Sequence, residues 1–218
     1  FTISGAGLRE GIMFNQALPS TIEKPVSDVL TYSLTTLVKW YDCDEHHVEH
    51  VVNLSIQLFK QLRVLHKFPR QYLKVLKVAA TLHDCGMRIK YYNHQRHSWY
   101  MILNANLYGV SHREIVLAAF TACCHKKEDI NPLDWARFKD ILHEDDIEIV
   151  KRLGVMLRIA ESLDRSMSGC IKGINCDILG DSVIMKTEVE GDASLEIRDA
   201  MAAGAEFKKS FHKNLEIL

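Results

Sequence analysis

His83 and Asp84 stand side by side at the end of an apolar helical run and are followed by Cys85-Gly86. An imidazole nitrogen and a carboxylate oxygen form a mixed donor set. Such a set suits a divalent ion that must hold a water and a phosphate oxygen together. Taken alone, the pair reads equally as a helix-end pair capping backbone carbonyls. It gains weight from its company, with His47 upstream and His94, His97, His125 and Asp164 downstream. These residues can do chemistry together only if separate helices deliver them to one place.

The hydrophobic pattern supplies such helices. Val29, Leu30, Leu34, Leu37, Val38 and Trp40 recur at helical spacing between Pro25, suited to a first turn, and Tyr41. A second helix is expected from Asp44, as N-cap, to about Leu65, with His47 and His50 in its first two turns. A third starts near Pro69 and carries Leu73, Leu76, Val78, Ala79 and Leu82 into His83-Asp84, with Gly86 as its C-terminal stop. Successive helical residues point about 100° apart. His83 and Asp84 can therefore share an ion only near a helix end, where the pattern places them.

Between Asn93 and Leu107 a helix is expected to begin near His97-Ser98. Ser111-His112-Arg113-Glu114 is a capping box, so a further helix runs from there to about His125. Asn131-Pro132 reads as a break, and a long helix from about Asp145 to Ser166 brings in Asp164. After Gly169, three strands are expected at 174–179, 182–190 and 193–197, then a helix over 199–212 and a short apolar tail. The fold class is mainly α, a helical body over 21–168 with a small β-rich α+β appendage over 169–218.

The chain has 218 residues, 47% of them hydrophobic, which is enough for a sizeable core. Its net charge of −1 gives no general attraction to nucleic acid or an anionic membrane. No apolar stretch approaches the roughly 20 residues of a membrane span, and no signal peptide is recognisable. The six cysteines form no CxxC pair. They read as reduced thiols of a cytoplasmic protein, with Cys85, Cys123 and Cys124 in the core. The opening, Phe1 to Gly11, reads as a strand and turn cut from a longer chain.

His47…His83-Asp84…Asp164 is similar to the H…HD…D pattern of the HD-domain superfamily of metal-dependent phosphohydrolases. Leu157 to Ser166, LRIAESLDRS, resembles the helix that carries the last ligand of that pattern. Gly7-Leu8-Arg9-Glu10-Gly11 resembles the segment that ends the actin-like domains of the Ppx/GppA exopolyphosphatase and guanosine pentaphosphatase family. His94 to Tyr100 and His125-Lys126-Lys127 resemble that family's C-terminal HD domain. The resemblance covers essentially the whole chain, with residues 1–20 as the tail of an upstream actin-like phosphatase domain. One position departs from it, since Gly86 is followed by Met87 where lysine is usual, with Arg88 and Lys90 nearby.

The resemblance implies His47, His83, Asp84 and Asp164 as metal ligands, His83 and Asp84 as the catalytic pair, and His97 and His125 as ligands of a second ion. His97 and His125 read equally as core histidines or phosphate donors. His94 is expected behind the ligands, orienting them. His46 and His50 flank His47 and are expected to be exposed. The cofactor is one or two divalent ions among manganese, iron, zinc, cobalt, nickel and magnesium.

Arg96, Lys126 and Arg165 are candidates to bind phosphate, although a solvated face explains each of them as well. Lys208, Lys209 and Lys213 read as surface charges, and Trp40, Trp99 and Trp135 as core. Two functions follow. One is a hydrolase releasing phosphate or nucleotide from polyphosphate, guanosine penta- or tetraphosphate, or another nucleotide phosphate. The other is a non-catalytic module that binds such a ligand or supports a homodimer. Sequence-specific nucleic acid and membrane are not expected partners.

Overall fold

The computed structural model describes residues 28–126 and 130–218, together with Arg9, Ile12, Met13 and Val26. The strand and turn expected over residues 1–11 lie outside the described residues except at Arg9, as does Pro25. Among the described residues the fold is mainly α with one small sheet.

Helix α1 (Val29–Trp40) starts at Asp28, whose carboxylate accepts the N–H groups of Leu30 and Thr31. Helix α2 (Glu45–Gln61) starts at the expected cap, where Asp44 accepts the His47 N–H at 2.8 Å. It closes with a separate turn, α3 (Arg63–His66). Helix α4 (Gln71–Leu82) leads through His83 and Asp84 into a 3-10 turn, Cys85–Arg88. Next come α5 (His94–Leu103), α6 (His112–Cys123), α7 (Pro132–Ala136) and α8 (Asp146–Ser162). Ser111 and Glu114 form the complete capping box of α6.

Helices α2, α4, α6 and α8 pack on one another in a closed ring, α2 to α4 to α6 to α8 and back. Their apolar stripes make the core, in which Val51, Leu76, Leu117 and Met156 are wholly buried. Each such side chain contributes about 1.5–3 kcal/mol by leaving water. Arg113 at the start of α6 grips the buried Asp146 at the start of α8 with two bonds, Nε to Oδ2 at 3.0 Å and Nη2 to Oδ1 at 2.5 Å. With those ends tied, α6 and α8 deliver His125 and Asp164 just beyond their C-terminal ends.

The appendage is a three-stranded sheet with two helices. Strands β1 (Ile171–Leu179) and β2 (Ser182–Val189) are antiparallel, and β3 (Asn214–Ile217) adds parallel to β2. The expected change of character at residue 169 is a change of secondary structure. The hydrophobic core runs through it, since Ile171, Val183, Met185 and Phe207 belong to the same cluster as the helical core.

Several local expectations differ from the structure. Residues 193–197 are not a strand, because Asp192 Oδ1 accepts the Ser194 N–H at 3.0 Å and opens helix α9 (Ser194–Met201). The single helix expected over 199–212 is two, α9 and α10 (Gly204–Phe211), and the apolar tail is strand β3. Asn131-Pro132 starts α7, since the Asn131 side chain accepts the Leu133 N–H and Pro132 takes the first-turn position. Trp40 is exposed and stacks on Tyr41, whereas Trp99 and Trp135 are half-buried against Phe120. Among the described residues no cysteine forms a disulfide; Cys85 is buried, and Cys123 and Cys124 are half-buried. Among the described residues no helix is long and apolar enough to cross a membrane.

Candidate metal centre

The C-terminal ends of α4 and α6 leave carbonyl groups without helical partners, and His83 and His125 use those carbonyls, while His94 uses one in the turn ahead of α5. His83 donates Nδ1–H to Ala80 O at 2.8 Å, and His125 donates to Ala122 O at 2.5 Å. His94 donates to Tyr91 O at 2.8 Å, just ahead of α5. A carbonyl only accepts, so each Nδ1 carries the proton and each Nε2 presents a lone pair. His47 reaches the same state through a carboxylate, with Nδ1 2.7 Å from Asp164 Oδ2.

The four Nε2 atoms converge on Asp84. Oδ2 lies 4.0 Å from His47 Nε2 and 3.6 Å from His83 Nε2. Oδ1 lies 3.2 Å from His94 Nε2 and 3.5 Å from His125 Nε2. His47, His83 and Asp84 form one group able to hold a cation, and Asp84, His94 and His125 form another. Asp84 is shared, one oxygen facing each group.

The polar accounting supports a cation in this place. His47 Nε2, His83 Nε2 and Asp84 Oδ1 are buried without a hydrogen bond, which native interiors rarely tolerate. His94 Nε2 and His125 Nε2 are 3.1 Å apart with both Nδ1–H groups already donated. Two facing lone pairs at that distance need a proton or a metal ion between them. Neutral imidazole and carboxylate donors fit manganese, iron, cobalt, nickel or zinc.

The electrostatics divide the four rings: burial lowers the His94 pKa, but its contact with Asp84 outweighs that and the net shift is upward. Burial, with the nearby His83, pulls the His125 imidazole down to about 3, so it is neutral at physiological pH. Burial pushes the Asp84 carboxyl up, but positive charge on the imidazoles of His83, His94 and His125 pulls it down further, so the net shift is downward. For His47, burial lowers the pKa, yet the hydrogen bond to Asp164 wins and the net shift is upward.

Asp164 stands in neither group. One oxygen holds His47 Nδ1 and the other accepts the Gly169 N–H at 2.9 Å. The sequence resemblance implies a direct ligand; in this structure the Asp164 carboxylate bonds to His47 Nδ1 and stands outside both groups, a geometry that fits a residue orienting His47. Such orienting carboxylates change metal affinity by about 10–100-fold. Asp164→Asn should therefore weaken metal binding within that range and leave the number of bound ions unchanged, as titration with manganese would show. Complete loss of one ion would make Asp164 a ligand.

His97 is half-buried and stands in neither group. Asn93, in the left-handed region at φ 59°, turns the chain so that α5 begins at His94, three residues before the expected start. Of the two, His94 is the one whose Nε2 faces Asp84, 3.2 Å from Oδ1. Gly86 is not a left-handed helix stop. It lies in the 3-10 turn, where its N–H donates to Ser98 Oγ at 2.9 Å and α5 crosses against it.

The three phosphate candidates are all ion-paired. Lys126 Nζ and Arg165 Nη1 share Glu161 Oε1, at 2.8 and 3.2 Å, and Arg96 Nη1 lies 3.0 Å from Asp134. Glu161 was not singled out from the sequence. Its signal there was its i,i+4 spacing to Arg165. Burial raises its pKa, but His125 and Lys126 outweigh that and keep it ionised. A cavity of about 240 Å³ opens on the cluster, lined by His47, Asp84 and Met87, with Arg88 at its side held 3.3 Å from Asp42. His46, which is exposed, and His50, which is half-buried, line a neighbouring cavity of about 620 Å³.

Residues 29–198 match the family model described as Ppx/GppA phosphatase, domain III. A guanosine-5'-triphosphate,3'-diphosphate pyrophosphatase of Aeromonas salmonicida (strain A449) is 29% identical over 109 residues, covering 50% of this chain and 21% of the relative. One from Aliivibrio fischeri (strain ATCC 700601 / ES114) is 31% identical over 108 residues, covering 50% and 21%. One from Pseudoalteromonas translucida (strain TAC 125) is 26% identical over 129 residues, covering 58% and 25%. The chain thus spans about a fifth to a quarter of the length of these curated relatives. With its matched region covering all the helices that carry the cluster, the chain belongs to the Ppx/GppA phosphatase family, as its domain III.

Proposed function

We propose that this domain is a metal-dependent phosphohydrolase centre of the HD-domain kind, acting on a nucleotide polyphosphate or inorganic polyphosphate. The names of the relatives favour guanosine 5'-triphosphate 3'-diphosphate among the nucleotides. The observation that carries the reading is the convergence of four imidazole Nε2 atoms on the two oxygens of one largely covered carboxylate, that of Asp84.

A divalent ion bound there would acidify a water and polarise a phosphate oxygen. His47 and His83 with Asp84 would hold one ion, and His94 and His125 with the same Asp84 a second. Asp164 aims His47, while the carbonyls of Ala80, Tyr91 and Ala122 aim the other three rings. Glu161 keeps Lys126 and Arg165 beside His125, where either cation can turn to a phosphate. Six cysteines without a disulfide among the described residues fit a reducing, cytoplasmic setting.

The test is metal content followed by phosphate release from guanosine pentaphosphate, polyphosphate and nucleotides, for the parent and His83→Gln. At least one transition metal per chain and a hundredfold loss of phosphate release in the variant are expected. No metal uptake after incubation with manganese or iron would sink the reading.

A second reading, a module that binds the ligand or supports a dimer without chemistry, is favoured by the ion pairs that occupy Arg96, Lys126 and Arg165. It is told apart by metal and ligand binding without phosphate release.

A further inference from the structure

A separate cavity of about 470 Å³ is lined by Lys126, Lys151, Arg158, Glu206, Lys209 and Ser210, among others. Lys151, Val155 and Arg158 fall on one face of α8 at i, i+4 and i+7, and that face meets α10, which supplies Glu206, Lys209 and Ser210. Among the described residues, four of those lining it are cations and one is a carboxylate. Glu206 lies 3.4 Å from Arg158, and Lys126 is bonded to Glu161. Lys151 and Lys209 make no ion pair among the described residues.

Like charges gathered into a concave surface repel one another and focus a positive potential. The volume is that of a small-molecule pocket, and the lining offers ammonium, guanidinium and hydroxyl donors suited to phosphate oxygens. Lys209, read from the sequence as a surface charge, gains a different role by lining the same cavity as Lys151. None of the metal-capable residues His47, His83, Asp84 and His94 lines this cavity.

We propose that this pocket is an anion site for a small molecule carrying at least two phosphate groups, separate from the candidate metal centre. Lys126 is the link between the two, since it lines the pocket while its Nζ holds Glu161. The site does not depend on the metal reading, and its test is made on chelator-treated protein so that either can fail alone.

The probe is inorganic tripolyphosphate, titrated calorimetrically into the chain in the presence of EDTA. The parent should bind it, and Lys151→Glu with Lys209→Glu should weaken binding at least tenfold. His83→Gln should bind within twofold of the parent. Lys172→Glu with Lys186→Glu, an equal charge change at exposed sites on the sheet, controls for general attraction and should also stay within twofold. The proposal is overturned if the parent does not bind, if the two charge-reversed pairs lose binding equally, or if His83→Gln loses it while the pocket variant keeps it.

Discussion

Asp84→Asn should abolish metal binding to both halves of the cluster at once, with metal content falling below about a tenth of an ion per chain. The two groups share one carboxylate, with Oδ2 towards His47 and His83 and Oδ1 towards His94 and His125. Asparagine keeps the shape but removes the charge, and it turns an NH₂ donor towards one pair of imidazoles. A hundredfold loss of affinity corresponds to about 2.7 kcal/mol, and the loss of both groups should exceed that. His94→Ala removes a ligand from one group only and should leave the His47 and His83 side able to bind. Elemental analysis and manganese titration of the two variants side by side give the measurement. If Asp84→Asn holds as much metal as the parent, the shared-carboxylate arrangement is wrong.

Gly86→Ala should be the most damaging change of a single carbon. A Cβ built on Gly86 overlaps the carbonyl oxygen of His94 and the amide nitrogen of Ser98, and lies 2.8 Å from His97 Cβ. Two of these three are backbone atoms, which no rotamer change can move, so α5 itself must shift. Overpacking costs about 1–3 kcal/mol where side chains can give, and a backbone clash belongs at or above the upper end. For a chain of this size, about 3 kcal/mol corresponds to a fall in Tm of roughly 6–12 °C. The shift also drags His94 away from His125 and Asp84, so the variant should lose metal from that half first. A thermal melt of Gly86→Ala within about 1 °C of the parent would show that α5 is not held this closely.

The parts of the site legible in the sequence are those decided within a helical turn or two. Asp44 and Ser111 cap their helices because a side-chain oxygen reaches an amide two or three residues on, a purely local event. His83-Asp84 was placed at a helix end by the stop of the apolar stripe, and the order of His47, the pair and Asp164 carried the family resemblance. The harder features were non-local. His94 and His97 are one turn apart, and the sequence offers either. The left-handed Asn93 and the close crossing at Gly86 set where α5 begins and which of the two faces Asp84. Glu161 and Asp164 look alike as carboxylates near the end of α8. Their roles separated only through their partners, Lys126 and Arg165 for one and His47 and Gly169 for the other.

The mainly α class, several helix caps and the donor types of the candidate cation site were thus readable from the chain alone, because periodicity, capping and ligand chemistry are properties of neighbouring residues. Only the packed fold shows that Asp84 is shared between two groups, that His94 rather than His97 joins it, and that Lys151 and Lys209 line one cavity between two helices. Those outcomes depend on how helices rotate and cross in the packed core, and no local spacing encodes them.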